Sequence, residues 1–325
     1  MSSNPGTAWT GEASPITSLK GRDCLTLLDF TPQEIQGLVE EALRMKQEWK
    51  AEKADRPLAG KALAMIFDKP STRTRISFET GMAQLGGHSL SLNRGDLQLG
   101  RGESLADTAR VLSGYVDAVL IRTFSHKALE ELAQHASIPI INGLTDLHHP
   151  CQALADLLTL KESRGGLTGL TLTYIGDGNN MLHSLLEAAA ATGIHLRAAT
   201  PPGYEPDPVV IQRAQQVAAR TGSDLHFTSD PREAVTKADA VYTDVWASMG
   251  QEEEKEQRIR DFAGFQVDTA LMSLAKPDAL FMHCLPAYRG LEVTAEVIDG
   301  SSSVVFPQAE NRLHAQKALL AALIG

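Results

Sequence analysis

The chain has 325 residues, of which 43% are hydrophobic and 22% charged, with a formal net charge of −10. This length favours two domains, and the acidic balance argues against binding to a nucleic-acid backbone, which requires a basic surface. Three distant cysteines without CxxC spacing, no opening signal segment and no apolar run of about twenty residues favour a cytoplasmic protein with neither a disulfide scaffold nor a membrane partner.

In the first half of the chain, apolar runs of strand length alternate with helical patterns. The pattern predicts strands at 61–68, 117–122 and 138–142, and helices at 76–86, 104–115 and HKALEELAQHA. A longer helix is predicted at 150–165. The residues before 16 are polar and rich in Gly, Pro and Ser, which is typical of a loose terminal arm.

The same alternation starts again after residue 169. Strands are predicted at 170–177, HLRAAT, DLHFTSD, 239–246 and 278–284, with helices between them and a last helix at NRLHAQKALLAALIG. Repeated strand–helix units predict parallel sheets covered on both faces. We therefore expect an α/β fold of two domains, each a parallel sheet flanked by helices, linked by long helices. The expected division is 1–148 with the C-terminal helix 306–325, and 149–305.

Ligands in such folds bind beyond the carboxyl ends of the strands. The stretch STRTR (71–75) follows the first predicted strand, and Ser71 or Thr72 suits the N-cap of the next helix. A helix N-terminus attracts phosphate, and arginine offers it a bidentate fork. Since residues two apart do not share a helix face, one of Arg73 and Arg75 should face a ligand and the other brace the scaffold. The alternative is a capped helix with solvated arginines.

The stretch HHPCQ (148–152) lies at another passage from strand to helix. His149 and Gln152 are three residues apart, so both can aim donors at one oxygen atom. A structural cap is the alternative, and a zinc site of His148, His149 and Cys151 lacks a completing ligand at the usual spacing.

Two further strand ends carry polar side chains. GDGNN (176–180) lacks the third glycine of a dinucleotide fingerprint, which argues against a nicotinamide site, whereas Asn179 and Asn180 can present amides to a polar ligand. Asp244 ends strand 239–246 and can bind an ammonium group. The loop after Asp244 is either a short mobile lid or the start of a solvated helix.

In FMHCLPAYR (281–289), His283 and Cys284 are neighbours on a strand and should point to opposite faces, which argues against a Cys/His dyad. A buried inert cysteine is the alternative to a functional one. The exit through Leu285 and Pro286 is suited to a cis peptide bond.

Together and in this order, STRTR, HPCQ, DGNN, DVWASMG and HCLPA resemble the aspartate/ornithine carbamoyltransferase family. The resemblance runs from LLDFTPQEI to VFPQAENRLHAQKALLAAL, and SMG with HCLP is typical of its ornithine branch. It implies a transferase, working without metal or organic cofactor, that moves the carbamoyl group of carbamoyl phosphate to the δ-amine of L-ornithine. The products would be L-citrulline and phosphate, within arginine metabolism.

The resemblance also implies which residues form the site, with carbamoyl phosphate in the first domain and ornithine in the second. The residues expected at carbamoyl phosphate are Ser71, Thr72, Arg73, Thr74, Gln98, Arg122, His149, Gln152, Cys284, Leu285 and Arg312. Those expected at ornithine are Asn180, Asp244, Ser248 and Met249, while Cys284 and the Leu285 carbonyl would also orient the δ-amine. The expected catalytic residues are Arg122, His149 and Cys284, and Arg75 is left as the brace.

The family is built of trimers with sites at subunit borders, so Gln98 is expected to reach a neighbouring subunit's site in a homotrimer or an assembly of trimers. One departure is Gly102, at a place where some relatives have lysine, with Arg101 beside it. The alternatives are a carbamoyltransferase for putrescine or an acylated ornithine, and a non-catalytic ligand-binding relative. The direction of the reaction, in arginine biosynthesis or in arginine breakdown, stays open at this point.

Overall fold

The computed structural model describes residues 19–69, 71–93, 95, 97, 102–247 and 252–325. The predicted terminal arm before residue 16, together with Gln98, Arg101, Ser248 and Met249, lies outside the described residues. Within the described ranges, the chain forms two parallel sheets flanked by helices. The predicted α/β fold is therefore confirmed.

The first sheet has four parallel strands in the order β2-β1-β3-β4. Its strands are β1 (Ala62–Phe67), β2 (His88–Asn93), β3 (Ala118–Arg122) and β4 (Ile140–Leu144). The helices of this half are α1 (Pro32–Lys50), α2 (Thr72–Gln84), α3 (Leu105–Ser113) and α4 (His126–His135).

The second sheet has five parallel strands in the order β7-β6-β5-β8-β9. Its strands are β5 (Thr171–Ile175), β6 (His195–Ala199), β7 (Leu225–Thr228), β8 (Ala240–Thr243) and β9 (Leu280–His283). The helices of this half are α6 (Asn180–Thr192), α7 (Pro208–Thr221), α8 (Pro231–Val235), α9 (Lys255–Asp261), α10 (Thr269–Met272) and α11 (Ala295–Ile298).

Two long helices link the halves. Helix α5 (Pro150–Arg164) packs against α1, α6 and α12 (Val305–Ile324), and α12 packs against α1 and α2. Lys46 of α1 ties these helices together, because its Nζ donates to Glu162 of α5 at 2.8 Å and to Asn311 of α12 at 2.7 Å. Helix α12 thus packs on α5 as well as on α1 and α2, and the expected division of the chain into two domains stays a prediction.

Four of these elements are missing from the sequence-based prediction, namely α1, β2 and the short helices α10 and α11. Helix α1 carries a capping box of Thr31 and Glu34 with proline at its first position, a signal that is sufficient to find it. Strand β2 is an edge strand whose side chains are all exposed or half-buried, so it lacks the apolar run by which the other strands were identified. Helix α2 also begins at Thr72, four residues before the predicted start.

Candidate active site

A cavity of about 990 Å³ lies at the carboxyl ends of both sheets. Residues that follow β1, β3, β4, β5, β8 and β9 line it, as expected for ligand sites in parallel sheets. Twelve of the fifteen expected site residues contribute: Ser71, Thr72, Arg73, Thr74, Arg122, His149, Gln152, Asn180, Asp244, Cys284, Leu285 and Arg312. The other three, Gln98, Ser248 and Met249, lie outside the described residues.

The N-terminus of α2 opens into this cavity. Ser71 is its N-cap, and the Ser71 hydroxyl accepts the amide N–H of Thr74 at 3.2 Å. Arg73 lines the cavity, whereas Arg75 is exposed and pairs with Glu79 of the same helix at 3.0 Å. Arg75 thus braces only its own helix, through a surface pair of the kind that contributes little to stability.

Two further arginines meet at Thr74. The Thr74 hydroxyl accepts from Arg312 Nη2 at 3.2 Å and from Arg122 Nη1 at 3.5 Å. Burial, and then repulsion from Arg312 and Arg73, lowers the pKa of Arg122 to about 10. None of these three arginines is paired with a carboxylate of the described residues. This part of the cavity therefore carries three positive charges that no described carboxylate offsets.

A chain of amides holds the buried Arg312 in place. Arg312 Nη1 donates to Gln152 Oε1 at 2.6 Å, and Gln152 Nε2 donates to Asp156 at 2.8 Å. The same Asp156 oxygen accepts from Gln308 Nε2 at 2.7 Å, and Gln308 Oε1 accepts the His283 N–H at 3.0 Å. Burial raises the pKa of Asp156 to about 6. The network thus connects the cationic site with the end of β9.

His149 is the N-cap of α5, but its side chain makes no cap hydrogen bond. The structure therefore does not support the structural-cap alternative, and the imidazole lines the cavity. Burial, followed by repulsion from Arg312, Arg122 and Arg73, moves its pKa well below the ordinary value. The ring is consequently neutral at physiological pH. A neutral imidazole can donate one hydrogen bond to a substrate oxygen without adding charge.

The buried carboxylate of Asp244, which follows β8, also lines the cavity. Its Oδ2 accepts from Asn179 Nδ2 at 2.9 Å, and its Oδ1 accepts from the Cys284 thiol at 3.0 Å. No described cation pairs with it. Burial, together with the Asp244 charge, raises the pKa of the Cys284 thiol well above its ordinary value, so the thiol stays protonated at neutral pH. Asp244 is therefore free to take an ammonium group.

The backbone after β9 turns sharply into the cavity. Leu285 has a φ of 57° and the Leu285–Pro286 bond is cis, as the sequence predicted. The Leu285 N–H donates to His283 Nδ1 at 2.8 Å, so that the other ring nitrogen faces Glu292 at 3.3 Å. His283 thus supports the loop from behind and does not form a dyad with Cys284, again in agreement with the prediction.

Among the described residues, one group of side chains could hold a metal ion, namely Asp244, His283 and Cys284. Both ring nitrogens of His283 already have hydrogen-bond partners, and the Cys284 thiol donates to Asp244. A metal would have to displace these bonds. His148, His149 and Cys151 form no such group within the described ranges. The expectation of no metal stays a prediction.

Several cavity residues were missed by sequence reasoning. They include Lys69, which donates to Asp146 at 2.6 Å, and Arg258, which donates to Asp177 at 2.8 Å. The segment after β6, with Tyr204, also lines the cavity, and the carboxyl-end rule would have found it. Arg258 comes from α9 and carries no local motif that could have revealed it.

Glycine is required at two of the motif positions. In GDGNN, a Cβ on Gly178 would lie 2.4 Å from the backbone of Glu205, so this glycine permits a close approach of two loops and is not a sign of nucleotide binding. Gly102 has a φ of 110°, a conformation that side chains rarely adopt. A lysine at residue 102 would therefore be strained in this backbone.

Two family models match the chain. Residues 22–162 match the "Aspartate/ornithine carbamoyltransferase, carbamoyl-P binding domain", and residues 168–323 match the "Aspartate/ornithine carbamoyltransferase, Asp/Orn binding domain". Together they span most of the chain.

Curated proteins and solved structures agree with these matches. Ornithine carbamoyltransferase of Anoxybacillus flavithermus is 60% identical, covering 94% of this chain and 98% of the relative. "Ornithine carbamoyltransferase, anabolic" of Pyrococcus furiosus is 56% identical, covering 95% of this chain and 98% of its own. The solved ornithine carbamoyltransferase of Pyrococcus furiosus has a TM-score of 0.92 at 57% identity, covering 94% of this chain and 98% of that one.

Proposed function

Because the chain belongs to the aspartate/ornithine carbamoyltransferase family, we propose that it transfers the carbamoyl group from carbamoyl phosphate to the δ-amine of L-ornithine, giving L-citrulline and phosphate. The observation that carries this function is the polarity of the cavity. Three arginines without carboxylate partners among the described residues line it, together with the carboxylate of Asp244, which has no cation partner among them.

The arginines and the Asp244 carboxylate suit the two substrates. Arg73, Arg122 and Arg312 offer charge and forked donors to a phosphate, and the free N–H groups of the α2 N-terminus add to them. Asp244 offers a desolvated carboxylate to the α-ammonium of an amino acid, and Asn180 lines the same cavity. The matched family model names the first half of the chain as the carbamoyl phosphate domain.

In the transfer, the neutral δ-amine attacks the carbamoyl carbon. A C–N bond forms, the C–O bond to phosphate breaks, and the proton lost by the nitrogen passes to the departing phosphate, which leaves as hydrogen phosphate. An alkylamine titrates near pH ~10.4, so only about one molecule in a thousand is neutral at pH 7.5. Desolvation in the cavity favours that neutral form. Cys284 and the Leu285 carbonyl are our candidates for orienting it, since both residues line the cavity.

Charge grows on the carbamoyl oxygen during attack, and Arg122 and His149 are our candidates for stabilising it. Donors that are fixed before the reaction stabilise such charge without reorganisation. Arg122, at the end of β3, donates to the hydroxyl of Thr74 in α2. The neutral His149 ring adds a second donor without adding to the repulsion among the arginines. The leaving phosphate remains bound by Arg73 and Arg312.

The proposed function is tested by incubating the protein with carbamoyl phosphate and L-ornithine and measuring citrulline and phosphate together. We expect the two products in equal amounts, and neither when ornithine is left out. Phosphate release without citrulline would reject the function. The proposed physiological direction is citrulline formation in arginine biosynthesis, by analogy with the relative named anabolic.

Arg73 and Arg75 provide a matched pair of variants on one helix. Arg73→Ala should lower kcat/KM for carbamoyl phosphate at least about tenfold more than Arg75→Ala, because only Arg73 lines the cavity. Steady-state kinetics of the two variants give this ratio. Equal losses, or an effect of Arg73→Ala on the ornithine KM alone, would contradict the assignment.

Cys284 allows a test of whether the carbamoyl group passes directly to the amine or through a covalent intermediate on the protein. Because its thiol stays protonated and donates to Asp244, we expect no covalent carbamoyl intermediate. Cys284→Ser keeps a donor at this position, so kcat should fall by less than about tenfold relative to the native protein. Mass spectrometry of the native protein quenched during turnover should find no carbamoylated Cys284, and finding one would overturn the direct route.

The compartment and the assembly are further proposals. None of the described helices is both long and apolar enough to cross a membrane. The three cysteines are free, which suits the reducing cytoplasm. The homotrimer is proposed from the family resemblance, and Ile76 and Tyr115, apolar residues of the first half that are 56% and 78% accessible, are candidates for its subunit contact. Light scattering should give three times the chain mass of 35.0 kDa.

A further inference from the structure

The position of His149 depends on contacts outside its own helix. As the N-cap of α5 it has φ −135° and ψ 65°, and its side chain does not cap the helix. The ring atom Nδ1 is buried without a hydrogen-bond partner among the described residues. Something other than the imidazole must therefore fix this residue, because a donor to a reacting oxygen has to be held in one orientation.

Ser184 of α6 supplies that fixation. The His149 backbone N–H donates to the Ser184 hydroxyl oxygen at 2.7 Å. The hydroxyl in turn donates to the Asn180 carbonyl at 2.8 Å, so its proton is committed and a lone pair faces His149. Ser184 is completely buried. The Ser184 hydroxyl of α6 thus fixes the main chain of His149 at the start of α5.

The same face of α6 holds the rest of the segment 145–149. Asn180 Nδ2 donates to the Thr145 carbonyl at 2.6 Å. His183 Nδ1 donates to the Leu147 carbonyl at 2.9 Å, because its Nε2 accepts the Asp207 N–H and the proton must lie on Nδ1. Residues 180, 183 and 184 share one helix face. Three side chains of α6 therefore clamp the backbone that leads to His149.

We propose that Ser184 is a positioning residue for the carbamoyl transfer, which sets the His149 imidazole against the carbamoyl oxygen without touching either substrate. This inference rests on the proposed function. In Ser184→Ala, the buried His149 N–H loses its acceptor and the segment shifts towards another partner. A displacement of about 1 Å in a catalytic donor can cost a hundredfold in rate.

The first test compares Ser184→Ala with Thr192→Ala. Thr192 is a matched control, because its buried hydroxyl donates to the Ala188 carbonyl on the same helix at 2.7 Å, the bond that Ser184 makes to Asn180. We expect Ser184→Ala to lower kcat/KM for carbamoyl phosphate by about ten- to a hundredfold with little change in the ornithine KM. Thr192→Ala should stay within about twofold. Ser184→Cys, a near-isosteric weak acceptor, should fall between Ser184→Ala and the native protein.

The second test is a double-mutant cycle with His149→Ala. If Ser184 acts through the imidazole, Ser184→Ala should cost less than about twofold once the imidazole is gone. An equal loss in both backgrounds would show a merely structural role and overturn the proposal, as would native kinetics of Ser184→Ala. These outcomes can be distinguished from a failure of the proposed function itself, because in that case the native protein would form no citrulline. Thermal melting of each variant confirms that it is folded.

Discussion

Replacing Arg122 with alanine is expected to lower kcat at least about a hundredfold, the largest loss we expect from a single substitution on the carbamoyl phosphate side. Removing one preorganised donor from a developing oxyanion costs roughly 3–4 kcal/mol. Arg122 is 7% exposed and is held at the Thr74 hydroxyl beside Arg312. Initial rates at saturating concentrations of both substrates measure the effect, and an unchanged kcat would refute the role.

The stability of the Arg122 variant should not follow its activity. Lowering the pKa of Arg122 to about 10 means that the folded state disfavours its charge by about 3 kcal/mol at every pH below 10. Removing the charge relieves that cost and offsets the lost packing of the aliphatic stem. We expect the melting temperature to stay within about 5 °C. A large drop in melting temperature would mean that the lost activity reports unfolding.

Arg164 is the matched control for this substitution. It lies at the other end of α5, about 20 Å along the helix from His149, and pairs with Asp278 at 2.5 Å. Arg164→Ala makes the same substitution as Arg122→Ala, but far from the cavity. We therefore expect kcat to stay within about twofold of the native value.

Asp244→Asn should impair the use of ornithine rather than that of carbamoyl phosphate. The carboxylate is 5% exposed and has no described cation, so it can form a desolvated pair with the ornithine α-ammonium. Truncating one partner of such a pair costs 2–5 kcal/mol or more, roughly thirtyfold to several thousandfold. We expect kcat/KM for ornithine to fall at least about a hundredfold while the carbamoyl phosphate KM changes little.

Asp239 offers a control on the same strand. It precedes β8, as Asp244 follows it, and is also buried, but it is paired with Lys276 at 2.7 Å. Asp239→Asn therefore changes the same functional group at the far end of the strand, and we expect kinetics within about threefold of native. If both variants lost ornithine specificity equally, the ammonium-binding role of Asp244 would be wrong.

The fold and most of the cavity could be predicted because both follow from local patterns. Apolar runs located eight of the nine strands, and the carboxyl-end rule then pointed to Arg122, Asp244 and Cys284. Strand β2 escaped because an edge strand can be built from half-exposed polar residues, and its pairing with β1 is visible only in three dimensions.

The contacts that tune the site could not be predicted. Ser184 meets His149 and Gln308 meets Asp156 across 35 and 152 residues of sequence, and neither pair belongs to a motif that encodes the contact. Burial and a carboxylate 40 residues away, that of Asp244, likewise raise the pKa of the Cys284 thiol. Sequence reasoning located most of the expected residues in the cavity, while tertiary packing sets their charge and orientation.

Acceptor selectivity tests the central claim most directly. The account predicts that kcat/KM with carbamoyl phosphate is at least about a hundredfold higher for L-ornithine than for putrescine or Nα-acetylornithine. Putrescine lacks the carboxylate, and the acetylated compound has lost the ammonium that we propose Asp244 binds. The measurement is the carbamoylated product formed from each acceptor in parallel. A higher kcat/KM for either of the other two acceptors would contradict the account.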